Sequence, residues 1–378
     1  MKKLGFGMMR LPLLDDNDEA SVDFEQVKEM VDLYMDSGFN YFDTAYPYHM
    51  GNSEIAFKKA VAERYPRESY VIADKLPLFL INSNDQLEPI FNEQLERTGV
   101  DYFDYYLLHN VSGFSEDGFL GVDSFEFANK KKEEGKIKHL GLSTHANAEY
   151  LDNILNLHPE IEFVLLQINY LDWESESVES KKCYGVARKH NLPVSVMEPL
   201  KGGFLANVQD KAEKLMKNYN SDASIVSWAL RFVYGLDGVF MVLNGVSNLE
   251  QLKQNIIDFE KFTPLNEDEY DIIAEVSEII NSNISVNCTK CKYCLESCPE
   301  AIYIPKLFDL YNSEMIQNTD EWTAVGNAYV NYSKLPGVGL ASDCTHCESC
   351  VDECPQHINI PDVMEKVAVT FERDIYGF

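Results

Sequence analysis

Asn40-Tyr41-Phe42-Asp43, then Ser53 through Glu63, then Tyr70-Val71-Ile72-Ala73-Asp74-Lys75 set out one unit of the fold. It is a short β-rich apolar run, a longer amphipathic segment, and a second short run. Strand-like runs that alternate with helix-period segments specify a parallel sheet with crossover helices. Working outward, the alternation gives eight candidate strands: Leu4–Met8, Asn40–Asp43, Tyr70–Lys75, Tyr105–His109, His139–Ser143, Glu162–Asn169, Pro193–Glu198 and Val239–Asn244. Between the first two, Phe24–Ser37 carries Val27, Met30, Val31 and Tyr34 on one helical stripe, with Gly38 as a stop signal. Ser53–Glu63, Asp85–Thr98, Ser124–Glu134 and Leu249–Phe259 read as helices in the same way. Eight βα units in about 260 residues fit a (β/α)8 barrel. A doubly wound open sheet is the alternative, but no Gly-x-Gly-x-x-Gly turn follows the first strand.

The end of the chain has a different grammar. Cys288, Cys291, Cys294 and Cys298-Pro299 return as Cys344, Cys347, Cys350 and Cys354-Pro355. Three thiolates at this spacing wrap one iron–sulfur cluster, and the fourth, before proline, serves the other cluster of a pair. One [4Fe–4S] cluster is therefore expected on Cys288, Cys291, Cys294 and Cys354, and a second on Cys344, Cys347, Cys350 and Cys298. Zinc or disulfides are the alternatives. Zinc usually mixes in histidine, and disulfides suit short secreted chains. Residues 264–282 read as a helix leading out of the barrel, and Ile304–Tyr311 and Glu321–Tyr332 as helices between the two cysteine runs. The tail resembles the helical ferredoxin-type domains of fumarate reductase iron–sulfur subunits. The expected architecture is α/β: a TIM barrel over residues 1–263, then a helical linker and a small, mainly α-helical, two-cluster ferredoxin-like domain over 264–378.

Of 378 residues, 62 are acidic and 32 basic, for a net charge of −30. That opposes binding to nucleic acid or to an anionic membrane surface. No apolar run is long enough to span a bilayer, and the basic start has no apolar region behind it that would make a signal peptide. Eight cluster cysteines out of nine point to a reducing cytoplasm.

At the C-terminal ends of the candidate barrel strands, where such folds place their chemistry, stand Asp43, Lys75 and His109, with Tyr48 in the loop after the second strand. Phe42-Asp43-Thr44-Ala45-Tyr46-Pro47-Tyr48 and Gly51-Asn52-Ser53-Glu54 resemble the signature of aldo/keto reductases. Lys75 in Ala73-Asp74-Lys75 and His109 in Tyr106-Leu107-Leu108-His109 complete that family's tetrad. With its tail, the chain resembles the family's iron–sulfur branch. The resemblance implies an oxidoreductase that interconverts a carbonyl and an alcohol. Tyr48 supplies the proton; its ordinary pKa of about 10 is too high for easy transfer, and the Lys75 ammonium lowers it. Asp43 holds Lys75 by a salt bridge, and His109 orients the carbonyl and donates to the oxyanion.

The resemblance also implies NAD(P)H. Ser143, Gln167 and Asn169 match positions that hold the nicotinamide carboxamide, and Met197 takes the place of the ring-stacking aromatic. Pro199, Leu200 and Gly203 in the same segment are further cofactor positions, as are Asn244, Gly245, Gln251 and Asn255 around the last strand and its helix. Gly245 and Gln251 fall where many NADPH-dependent members carry Lys or Arg for the 2′-phosphate, so a preference for NADPH is not implied. His49 and His145 are candidates at the pocket mouth, Cys183 is a core thiol, and His346 and His357 flank cluster ligands. Substrate choice is expected to lie in loops such as Ser112–Gly121 and Asp172–Glu179.

A nicotinamide gives up two electrons as a hydride, whereas a cluster accepts one. Three readings follow. The barrel reduces a small carbonyl while the clusters are structural or link to a partner. Or a flavin, or a ferredoxin-like redox protein, feeds the barrel through the clusters. Or the chain is a non-catalytic electron carrier or redox sensor. The two enzyme readings are favoured by the complete tetrad.

Overall fold

The β-rich runs pair edge to edge in sequence order. In a computed structural model that describes residues 2–15, 18–111, 122–175, 178–282, 285–317, 324–333 and 337–372, β1 (Leu4–Gly7), β2 (Tyr41–Asp43), β3 (Val71–Leu76), β4 (Phe103–Leu108), β5 (Ile137–Thr144), β6 (Phe163–Gln167), β7 (Val194–Met197) and β8 (Val239–Gly245) form one parallel sheet. β8 pairs back onto β1, so the sheet is a closed barrel and not a doubly wound open one. β4 and β5 begin earlier than their apolar runs suggest, because Phe103 pairs with Ile137 and lengthens the ladder.

The barrel interior follows the period of two that a strand imposes on its side chains. Tyr41, Ala73, Leu107, Phe163, Leu165, Met241 and Leu243 pack together as one inner layer. Gly141 leaves the room for it: a Cβ there would lie 2.5 Å from the Phe163 ring.

Helix Phe24–Asp36 shows why the outer elements sit where they do. The Asp23 side chain accepts from the Gln26 N–H and caps it, and Val27, Met30, Val31 and Tyr34 are its buried face. The Tyr34 hydroxyl lies 2.7 Å from the Leu4 carbonyl and 2.8 Å from that of Tyr41, fixing the helix to β1 and β2. The segment read as one helix over Ser53–Glu63 is an α-helix at Asn52–Phe57 that widens to a π-turn at Lys58–Ala62. Helices Ala148–Leu157, Ser180–Lys189 and Ile225–Tyr234 were not read from the sequence.

The chain divides into two compact units. The first comprises Met1–Leu200 with Ala223–Asn266 and contains the barrel. The second comprises Lys201–Asp222 with Glu267–Phe378. Within the second, helix Asp210–Tyr219 packs on helix Glu267–Asn281. Its core joins Leu307 and Phe308 of helix Ile304–Gln317, Tyr329 of helix Ala324–Ser333, and Met364, Val367 and Phe371 of helix Ile360–Phe371. Buried Cys294 and Cys350 belong to the same core. The loop Ser112–Gly121, residues 176 and 177 of the loop Asp172–Glu179, and Glu321–Thr323 of an expected helix lie outside the described residues. Among the described residues, no helix is long and apolar enough to cross a membrane.

Candidate functional site

Strand alternation collects the polar residues at one end of the barrel. Two residues beyond Tyr41, Ala73, Leu107, Leu165 and Leu243 of the inner layer stand Asp43, Lys75, His109, Gln167 and Gly245. Ser143 and Met197 keep the same phase on β5 and β7, opposite Leu165 and Gln167 respectively. They all occupy the C-terminal ends of their strands, the end at which barrels of this kind do chemistry.

Lys75 Nζ donates to Asp43 Oδ1 at 2.6 Å and to the Thr44 carbonyl at 2.7 Å. Both side chains of this pair are buried. Burial pushes the Asp43 carboxyl up, and the Lys75 ammonium draws it back down. The same ammonium lies 4.9 Å from the centre of the Tyr48 ring. Tyr48 meets the His109 ring edge-on at 6.1 Å. Phe79 contacts the other flank of His109 at 5.4 Å. Burial, with the charges of Lys75 and His145, holds the His109 imidazole well below its usual range, so the ring is neutral at neutral pH. A neutral imidazole can donate one hydrogen bond without adding a cation.

The signature around Gly51 is scaffolding for Tyr48. Gly51 takes a φ of +85°, and a Cβ there would lie 2.9 Å from the Arg97 guanidinium. Arg97 in turn reaches Glu54 at 3.2 Å and faces the Tyr46 ring at 4.3 Å. Ser53 Oγ donates to the Met8 carbonyl at 2.9 Å and sits 2.7 Å from Thr44 Oγ1. His49, a candidate for substrate contact, is instead a loop fastener. Its Nε2 accepts from the Leu11 N–H at 3.1 Å, and its Nδ1 lies 3.0 Å from the Glu19 carbonyl.

Behind Lys75 lies a feature that strand patterning could not reveal. Glu54 and Asp74 are both wholly buried, act on each other, and each keeps one carboxyl oxygen, Oε1 and Oδ2, without a hydrogen-bond partner. Burial raises both carboxyls, and for Asp74 the neighbouring Glu54 charge raises it further. Two buried carboxyls that raise one another disfavour joint ionisation, so one of them is expected to keep its proton at neutral pH. A folded-state pKa above the unfolded one means stability that is present at low pH and lost as pH rises through the folded value. Between about pH 5 and about pH 8 the barrel's thermal midpoint is therefore expected to fall. Asp74→Asn, which can still accept from the Lys75 N–H as Asp74 Oδ1 does at 2.8 Å, should flatten that fall. Melting curves for the two proteins that decline in parallel would show that neither carboxyl keeps its proton.

The expected cofactor positions divide. Ser143 Oγ accepts from the Asn110 N–H at 2.9 Å. Gln167 Nε2 donates to Asp172 at 2.9 Å, and its Oε1 faces His145 Nδ1 at 3.2 Å. Asn169 is a correction. It is fully buried, Nδ2 donates to Asp172 at 2.8 Å and to the Glu198 carbonyl at 3.1 Å, and Oδ1 accepts from the Asp172 N–H at 2.9 Å. With the amide used at both ends, Asn169 is scaffold. Asp172, the hub of this network, was missed; its one sequence signal is its place three residues after an Asn, the spacing of a side-chain turn.

Met197 is half-buried and leans on the inner layer. Gln251 is also a correction. Its Oε1 accepts from the Ser247 N–H at 2.8 Å, and its own N–H donates to the side chain of Asn248, which caps helix Leu249–Glu260, so Gln251 braces the helix start. Asn255 is buried on that helix, and Pro199, Leu200 and Gly203 follow β7. Arg10 stands against Gly245, its Cβ 3.2 Å from where a Gly245 Cβ would be. This basic residue comes from the opposite end of the sequence to the segment searched for one. Among the described residues, Asp43 Oδ2, His109 Nδ1 and Asn244 Nδ2 are buried polar atoms without a hydrogen-bond partner. At a barrel mouth such atoms suit a polar ligand, and the site fits a nicotinamide and a carbonyl on this ground.

In the second unit the eight cysteines separate into two groups of four. Cys288, Cys291, Cys294 and Cys354 line one cavity, and Cys298, Cys344, Cys347 and Cys350 line another. Ile304 and Ile360 border both, so the cavities share a wall. Among the described residues, no three His, Cys, Asp or Glu side chains are grouped as ligands of a single ion. Thiols set around a cavity fit a cluster and not one zinc. Cys183, the ninth cysteine, is buried in its helix. His346 faces Glu365 at 3.4 Å, and His357 is half-buried.

The model of the aldo/keto reductase family matches residues 3–278, and that of a 4Fe-4S dicluster domain matches residues 287–358. The NADH-specific methylglyoxal reductase of Escherichia coli is 23% identical over 265 residues, 58% of this chain and 78% of that protein. The holo form of an aldo-keto reductase from Bacillus halodurans superposes with a TM-score of 0.58 at 23% identity, covering 72% of this chain and 91% of that one. An aldo-keto reductase from Klebsiella pneumoniae, solved in complex with NADPH, gives 0.57 at 19% identity over 74% of this chain and 90% of its own.

Proposed function

The chain belongs to the aldo/keto reductase family, with a C-terminal 4Fe-4S dicluster domain, and from that premise we propose that its barrel reduces a small carbonyl with a nicotinamide cofactor. The observation that carries this reading is the buried Lys75–Asp43 pair facing the Tyr48 ring beside a neutral His109. Bound nicotinamide supplies a hydride. His109 donates to the carbonyl oxygen and fixes its position. Tyr48 passes its hydroxyl proton to the oxygen as negative charge develops there. Lys75 stabilises the phenolate left behind, and Asp43 keeps the ammonium aimed at it. Ser143 and Gln167 border the carboxamide, Met197 the ring, and Arg10 with Asn244 and Gly245 the phosphate side.

Cys288, Cys291, Cys294 and Cys354 hold one [4Fe–4S] cluster, and Cys298, Cys344, Cys347 and Cys350 the other. The clusters provide one-electron exchange with a redox partner. A second reading keeps the tetrad but feeds it through the clusters from a flavin or a ferredoxin-like protein; the softer contact offered by Met197 in place of an aromatic favours it.

Anaerobic turnover of a carbonyl panel, followed by nicotinamide absorbance, separates these readings. NADH and NADPH should both serve, since positions 245 and 251 themselves carry no cation while Arg10 stands against Gly245. The methylglyoxal named for the Escherichia coli relative belongs in the panel. No turnover with either nicotinamide, together with turnover on adding a reduced ferredoxin, would replace the first reading by the second.

A further inference from the structure

The two cluster cavities are not electrically alike. Lys201 is 2% exposed and adopts a φ of +45°, a left-handed backbone that side chains rarely take. So placed, its Nζ donates to Gln356 Oε1 at 2.9 Å. Gln356 is itself buried, follows Cys354 by two residues, and lines the cavity of Cys288, Cys291, Cys294 and Cys354. Lys292 is the charged residue of that lining. The lining of the other cavity holds Glu300 and Glu348 as its charged residues, and its ligand Cys347 is exposed.

From these placements we propose that the clusters form an ordered pair, in which the one on Cys288, Cys291, Cys294 and Cys354 has the higher reduction potential and Lys201 is the positioning residue that raises it. The inference rests on the ligand assignment given above. Reduction adds one electron, and so one negative charge, to a core already surrounded by four thiolates. A fixed ammonium directly behind the lining residue Gln356 favours the more negative form, as does Lys292 in the lining, and carboxylates in the wall of the other cavity oppose it. Ile304 and Ile360 line both cavities, so clusters held there would be neighbours. An electron arriving at the exposed Cys347 side then passes downhill to the other cluster. No proton or bond change is involved: one cluster is oxidised by one electron as the other is reduced.

The test is a redox titration of the full-length anaerobic protein followed by electron paramagnetic resonance. Wild type should show about eight irons per chain and two separate one-electron steps. Lys201→Met should lower the upper step alone, by about tenfold in its reduction equilibrium, or about 59 mV. Lys201→Arg should keep it in place, and Glu348→Gln should raise the lower step alone. Full iron with coinciding steps, or an upper step unmoved in iron-replete Lys201→Met, would overturn the ordering while leaving the ligand assignment intact. Wild type without iron would overturn the assignment and the ordering with it. If Lys201→Met does not load iron, Glu348→Gln decides: a shift in the upper step, or in neither, rejects the proposal.

Discussion

Tyr48→Phe should lower kcat for carbonyl reduction by about a hundred- to ten-thousand-fold, the range spanned by the loss of a positioned general acid. Phenylalanine keeps the ring that Lys75 faces at 4.9 Å and that His109 meets at 6.1 Å. Only the hydroxyl proton is removed. Nicotinamide binding, read by fluorescence, and the thermal midpoint should both stay near wild type. Lys75→Met is a different experiment. It leaves the Asp43 carboxylate buried without its cation, and breaking such a pair costs about 3 to 5 kcal/mol. Lost activity in that variant mixes chemistry with stability, so Tyr48→Phe is the cleaner measurement. A Tyr48→Phe enzyme within a few-fold of wild type on every responsive carbonyl would show that the proton comes from elsewhere.

The difference between these two variants reflects what the sequence could and could not carry. Asp43, Lys75 and His109 were legible because each closes a short β-rich run, and the period of two then aims them to one mouth; Ser143 and Gln167 were legible only through the family resemblance. The buried face of helix Phe24–Asp36 was legible for the same kind of reason, its four apolar residues falling at helical spacing. Partnerships across the chain leave no such trace. Glu54 and Asp74 belong to separate elements, and neither motif states that the two are buried side by side. Asn169 has the residue type of a carboxamide ligand, and only the geometry of Asp172 shows that its amide is already used. Arg10 against Gly245 and Lys201 against Gln356 each join positions more than a hundred residues apart, where no local periodicity operates. The cysteine runs are the exception: ligand spacing is itself a geometric code, and the cavities sort the eight thiols into the same two groups of four.

Removing the iron should unfold the C-terminal unit and leave the barrel folded. The unit's core includes Cys294 and Cys350, with Cys288, Cys298, Cys344 and Cys354 packed against it. Burial and the neighbouring cysteines push the Cys294 thiol far above its usual range and the Cys350 thiol up to about 11. Without iron these buried sulfurs are neutral and nothing ties the two cysteine runs together across the two cavities. Metal binding energy is then folding energy. The barrel has no such dependence, because β8 closes on β1 and its inner layer is packed by its own side chains. Chelated protein should lose helical circular dichroism and be trimmed by protease in the C-terminal unit, while nicotinamide still quenches barrel fluorescence. Retained helicity and protease resistance after complete iron loss would mean that the packing of Leu307, Phe308, Tyr329 and Met364 suffices alone, and that the clusters are guests in a fold that does not need them.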